Sequence, residues 1–211
     1  MNQIEFVHVH SPISYGDALA IQQERHAAVV DGTASEAVFF LEHAPVITLG
    51  RSSHEANILR DRAALAESGI EVHETSRGGD VTYHGPGQLV AYPILNIRER
   101  GLSVKGYLRQ LEEALIGLLA TYGLQGERIP GMTGVWVEGA KVAAIGIGVR
   151  RWVTFHGTAL NVDPDMAHFG LIVPCGIADK PVTSLRKLLG TAPPMEDVMD
   201  RYEHALRACL P

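Results

Sequence analysis

Three apolar runs crowd into the stretch between residues 135 and 162, with only short turns between them. Val135-Trp136-Val137 is followed by Glu138-Gly139-Ala140, then by an apolar run over 141–149, then after Arg150-Arg151 by another over 154–162. A parallel strand pair needs a crossover of a dozen or more residues, so strands this close must pair antiparallel. That constraint governs the rest of the chain, in which strands and helices otherwise alternate. Strands are predicted at 37–41 (AVFFL), at 46–49 (VITL) beyond the Pro45 break, at 70–74 and at 88–97. Helices are predicted at 15–30 behind the N-cap Ser14, at 62–67 ending at Gly69, from Ser103 to about 122, and at 185–189 and 196–208. Interleaved elements with hairpins in the middle predict an α+β fold with a mixed sheet rather than a doubly wound parallel one.

At 211 residues the chain is expected to form one domain, 1–211, with a core large enough to need no staples. No apolar run approaches the ~20 residues of a membrane-spanning helix. The N-terminal MNQIEFVHVH lacks the basic-then-apolar pattern of a signal peptide. Two distant cysteines make no disulfide framework, so a reduced, cytoplasmic setting is expected. A net charge of −6 counts against non-specific nucleic-acid binding, although Arg150, Arg151 and Arg77 are candidates for a local basic patch. The ten histidines show no HExxH or CxxC spacing, and no metal site is expected.

Four segments carry side chains suited to chemistry. Arg77-Gly78-Gly79-Asp80-Val81-Thr82-Tyr83-His84-Gly85-Pro86-Gly87-Gln88 is too rich in glycine and proline for a plain strand. It reads as a loop whose backbone approaches a ligand, with Arg77 or His84 as polar partners, or as a turn and no more. Its spacing is neither a Walker loop nor a dinucleotide fingerprint. Lys141 opens a strand of small and apolar residues in which Ala144, Ile145 and Gly146 leave room for a flat or chain-like ligand. A lysine desolvated there can act as a base; a lysine at a hairpin end is otherwise simply solvated. His156-Gly157, followed by Thr158 and Ala159, interrupts another strand and suggests close backbone approach. Finally Cys175, in FGLIVPCGI, follows an apolar run read as a strand and is held by Pro174 and Gly176. It is either a nucleophile or a small buried hydrophobe. His84, His156 and Lys141 are all candidates for its base, and spacing does not choose among them.

Taken together, RGGDVTYHGPGQLVAYP, KVAAIGIGVRRWVTFHGTALNV and FGLIVPCGI closely resemble the octanoyltransferases of lipoate biosynthesis, in the family's order and over residues 77 to 177. The resemblance implies the fold shared with biotin and lipoate ligases, a mixed, mostly antiparallel sheet flanked by helices. It implies transfer of an octanoyl group from acyl carrier protein to a lysine of lipoyl domains, those of 2-oxoacid dehydrogenase E2 subunits and of the glycine cleavage H protein. Neither cofactor, metal, nucleic acid nor membrane is implied, and the working form is expected to be a monomer. Carried over by motif, Cys175 is the acyl-thioester nucleophile and Lys141 its activating partner. Residues 77 to 84, Ala144 to Gly146, and Gly157 to Ala159 match the family's substrate-contacting segments. Asp80 comes as part of its segment, with no separate role. An ATP-dependent ligase, a non-catalytic acyl-binding module and a Cys–His hydrolase are the alternatives.

Overall fold

The computed structural model describes residues 4–9, 12–173 and 181–210. The 135–162 region forms the expected hairpins. Strands β7 (Val135–Val137) and β8 (Ala140–Arg150) are joined through Glu138 and Gly139, with φ of 51° and 76°. Both are left-handed, as a two-residue hairpin turn that matches strand twist requires. Arg151 and Trp152, at 52° and 67°, make the same turn into β9 (Val153–Asn161) without a glycine.

These strands join β1 (Glu5–His8), β2 (Ala37–Leu41) and β6 (Gln88–Ile94) in a six-stranded sheet of order β1-β2-β6-β9-β8-β7. Among the described residues only β1 and β2 pair parallel in it. Alternation along β2 explains its unbroken apolar run. Val38 and Phe40 face helices α3 (Val104–Ala120) and α5 (Met195–Cys209), whereas Ala37, Phe39 and Leu41 face α1 (Tyr15–Val30). Both faces of the sheet are covered, so both sets of side chains are apolar. The helix starts match expectation. Ser14 accepts from the Asp17 amide at 3.1 Å and Ser103 from the Gly106 amide at 3.0 Å, each satisfying a first-turn N–H.

A second sheet was not expected. It has the order β4-β3-β5, from β3 (Val46–Leu49), β4 (Glu71–Glu74) and β5 (Val81–His84), and it packs its own apolar cluster with α2 (Arg62–Glu67). β5 lies inside the segment read as a loop: only residues 77–80 and 85–87 of it turn, and VTYH between them alternates as a strand does. Two other expectations are corrected. The 88–97 strand ends at Ile94, before a turn at residues 97–101 that leads to α3. The apolar run before Cys175 is not a strand: Met166–Leu171 is a 3₁₀ turn, and Ile172 makes one isolated bridge to Ile58. Cys175 itself lies outside the described residues. The short α4 (Leu185–Leu189) ends, as such helices often do, on a left-handed glycine, Gly190.

Gly157 shows how tightly the central strands fit. A Cβ there would lie 2.1 Å from the Ala91 carbonyl oxygen and 2.7 Å from Pro93 Cδ, both on the neighbouring β6. Backbone cannot swing aside as a side chain can. Gly157→Ala is therefore expected to destabilise the fold by about 1–3 kcal/mol, read from the urea midpoint. An unchanged midpoint would show that β6 and β9 yield more easily than this packing implies.

Candidate active site

A cavity of about 360 Å³ opens on the α1 side of the large sheet. Its floor is a row of small side chains. Val90, Ala159 and Ala144 stand side by side on β6, β9 and β8, and Gly146 pairs with Gly157 in the next row. Two alanines and two glycines in adjacent rows, with Val90 beside them, make a trough on the sheet that larger side chains would fill.

The Gly-rich segment covers one side of this trough. Gly50, Arg51 and Ser52 donate their amides to the carbonyls of Asp80, Arg77 and Gly79 at 3.0–3.3 Å, and the Gly78 amide donates to the Ile147 carbonyl at 2.8 Å. The loop is thus held from both sheets. These approaches exclude a side chain at Gly50 and crowd one at Gly146. A Cβ on Gly50 would lie 2.3 Å from the Gly79 carbonyl oxygen, and one on Gly146 would lie 3.0 Å from that of Gly78. Arg77 is buried, and its guanidinium donates to the Thr48 carbonyl at 2.7 Å and to the Thr48 hydroxyl at 2.9 Å. It cannot join Arg150 and Arg151 in a surface patch as the sequence suggested; those two flank a separate hollow beside α1.

Lys141 stands at the far end of the trough. Its backbone is clamped by residues 181–183: its N–H donates to the Pro181 carbonyl at 2.8 Å, and its C=O accepts from Thr183 at 2.9 Å. Its Nζ lies 5.1 Å from the Trp136 ring centroid. On the other side, the Val173 amide donates to the Asn57 carbonyl at 2.8 Å, and the Asn57 side chain bonds Asp80 at 2.6 Å. The described chain on either side of Cys175 is therefore anchored to residues that line, or directly hold, the cavity.

Lys141, the described members of the 144–146 and 157–159 segments, and residues 77–82 with His84 all border this cavity. Tyr83 does not. Alternation along β5 sends it to the opposite face, into the cluster around Ile47 and Leu65, with its hydroxyl 2.7 Å from His168 Nδ1. Tyr15, Thr48, Tyr92 and the Gly131–Thr133 loop also line the cavity and were not singled out from sequence. For the last, the PGMTG run was a legible turn signal; for the others there was none. His156, weighed as a half-buried ring, is 2% exposed, sits at a left-handed φ of 57° and borders the cavity, with its Nε2 making no hydrogen bond among the described residues.

The imidazoles here are uncharged at neutral pH. Burial pulls His43 down to about 4, His156 to about 4, and His84 to about 3, the last helped by the neighbouring His43 ring. The same burial pushes the Tyr15 phenol up to about 12. The site therefore brings together neutral hydrogen-bonding rings, an anchored arginine, a lysine and an apolar trough. That combination suits acyl-group chemistry at a thioester or amide carbonyl.

A family model described as the lipoyl protein ligase A/B catalytic domain matches residues 14–207. An octanoyltransferase of Geobacter metallireducens is 49% identical over 186 residues, 88% of this chain and 84% of that protein. One of Chloroflexus aggregans is 50% identical over 199 residues, 93% and 90% of the two chains. Among solved structures, a bipartite lipoate protein ligase of Thermoplasma acidophilum superposes with a TM-score of 0.77 at 14% identity, covering 100% of this chain and 84% of that one. The biotin protein ligase of Aquifex aeolicus gives 0.53 at 13%, covering 100% and 69%. The structural likenesses, at such low identity, speak for the fold alone.

Proposed function

The chain belongs to the family of lipoyl protein ligase A/B catalytic domains, on its octanoyltransferase branch, and from that premise we propose that it moves an octanoyl group from octanoyl-acyl carrier protein to a lysine of lipoyl domains through a thioester on Cys175. The single observation that supports this most is the convergence on one cavity of Lys141, the Arg77–His84 segment and the small-residue trough.

In the first half-reaction Lys141 takes the thiol proton of Cys175. The thiolate sulfur attacks the donor's carbonyl carbon, the carrier's C–S bond breaks, and Lys141 returns the proton to the departing carrier thiolate. One thioester replaces another, so the step is close to thermoneutral. In the second half-reaction the lysine amine of the lipoyl domain attacks the Cys175 thioester, an amide forms and the reaction runs downhill without ATP. The trough on β6, β8 and β9 holds the acyl chain, each buried methylene contributing ~0.8 kcal/mol. Its depth sets the preferred chain length. Lipoyl domains of 2-oxoacid dehydrogenase E2 subunits and the glycine cleavage H protein are the proposed acceptors, and the cytoplasm the proposed compartment.

The test is intact mass after incubation with octanoyl carrier protein and no ATP. The expected result is one added octanoyl group, discharged when a lipoyl domain is supplied and then found on that domain's lysine. A product formed only from free octanoate and ATP would replace this reading with a ligase.

A further inference from the structure

His84 is wired into a chain of buried hydrogen bonds whose direction is fixed at its far end. Asn161 Nδ2 donates to the Thr183 carbonyl at 3.0 Å, and a carbonyl can only accept. Asn161 Oδ1 therefore faces Gln88, whose Nε2 donates to it at 2.9 Å and also lies 3.3 Å from the Tyr83 carbonyl. Gln88 must in turn present Oε1 to His84, and it does so at 2.7 Å from Nδ1. A neutral ring that donates from Nδ1 carries its lone pair on Nε2. His84 lines the cavity in this form. It is thus suited to accept a hydrogen bond there and unsuited to donate one, so stabilising an oxyanion falls to other groups.

The same wiring ties His84 to Lys141. The Thr183 carbonyl ends the chain from His84, while the Thr183 amide donates to the Lys141 carbonyl at 2.9 Å. Thr183 is therefore bonded directly to the Lys141 backbone and, through Asn161 and Gln88, to the His84 ring. Each of the reaction's two nucleophiles, the thiol and the amine, brings hydrogens, but only the amine has two N–H bonds to place at once.

We propose that His84 Nε2 accepts one N–H of the incoming lysine amine, aiming its lone pair at the Cys175 thioester while Lys141 receives the proton that the nitrogen loses. This rests on the octanoyl-transfer reading above. The C–N bond forms as the C–S bond breaks; the proton passes from nitrogen to Lys141 Nζ and on to the Cys175 sulfur, leaving an amide and a free thiol. His84 holds its hydrogen bond throughout and takes no proton, consistent with a ring pulled down to about 3 by burial.

The two half-reactions separate this role from the rest of the site. His84→Phe keeps a ring of similar size and removes both nitrogens. With octanoyl carrier protein, acylation of Cys175 by intact mass is expected to slow less than about 10-fold. Single-turnover transfer from the isolated acyl-enzyme to a lipoyl domain is expected to slow about 100-fold, the scale of a misplaced reacting group. Equal loss in both steps would overturn the proposal, because His84 would then serve the thiol or the fold. A wild-type enzyme that never acquires octanoyl on Cys175 would remove the underlying reading and the proposal with it. A measurement on the unaltered protein guards against misfolding: with ¹⁵N-labelled histidine, His84 should show a protonated Nδ1 and a bare Nε2. A proton on Nε2 in the free enzyme would overturn the proposal whatever the variant does.

Discussion

Cys175→Ala is expected to lower octanoyl transfer at least about 10⁴-fold and to leave no covalent adduct after incubation with octanoyl carrier protein. The magnitude follows from the loss of the route itself rather than of a contact. Without the thiol, the amine must attack the carrier thioester directly, and the donor and acceptor proteins must reach one cavity together. The matched control is Cys209, the other cysteine of the chain. It closes α5, packs against the α3–α5 core, and burial pushes its thiol up, away from thiolate. Cys209→Ser should therefore transfer at the parental rate. Peptide mapping of the acylated parent should place octanoyl on the peptide containing Cys175. An adduct on Cys209, or full turnover by Cys175→Ala, would sink the covalent route.

Most of the large sheet could be read from the chain because its signals are local. The AVFFL run, the Ser14 and Ser103 caps and the two hairpins each follow from residues within a few positions of one another. The second sheet was hidden because its pairing is not local. β5 sits between two glycine-rich turns, and its partner β3 lies over thirty residues earlier. Glycine there marked the turns correctly and masked the four alternating residues between them. The cavity follows the same division. Segments rich in glycine and small residues announced themselves, since a trough on a sheet needs them at Ala144, Gly146, Gly157 and Ala159. Thr48, which holds the Arg77 guanidinium, and Asn161, which turns Gln88 toward His84, looked in sequence like ordinary strand residues. Their roles exist only once distant strands are adjacent. Tyr83 shows the converse: it lies within the motif, yet alternation turns it away from the cavity.

Lys141→Ala is expected to slow acylation of Cys175 about 10³-fold, within the range for removing a positioned base. The backbone at this position is clamped by Pro181 and Thr183, so truncation removes the Nζ group from beside Trp136 without freeing the strand. Gly134 leaves space for the lysine stem: a Cβ there would lie 2.7 Å from Lys141 Cε. The deficit should depend on pH with a definite sign. As pH rises past ~8.5, a free thiol loses its proton unaided, so the gap between Lys141→Ala and the parent should narrow. At lower pH the variant's thiol stays protonated and the gap should widen. Lys141→Arg separates proton transfer from charge alone. A guanidinium keeps its proton at any working pH, so it can stabilise a thiolate by its charge but cannot take the thiol proton itself. If Lys141 is the base, the arginine variant stays well below the parent at neutral pH. If arginine restores the rate, Lys141 acts only as a fixed positive charge that stabilises the thiolate, and the thiol proton leaves to solvent. Acylation of the alanine variant at the parental rate would exclude both roles.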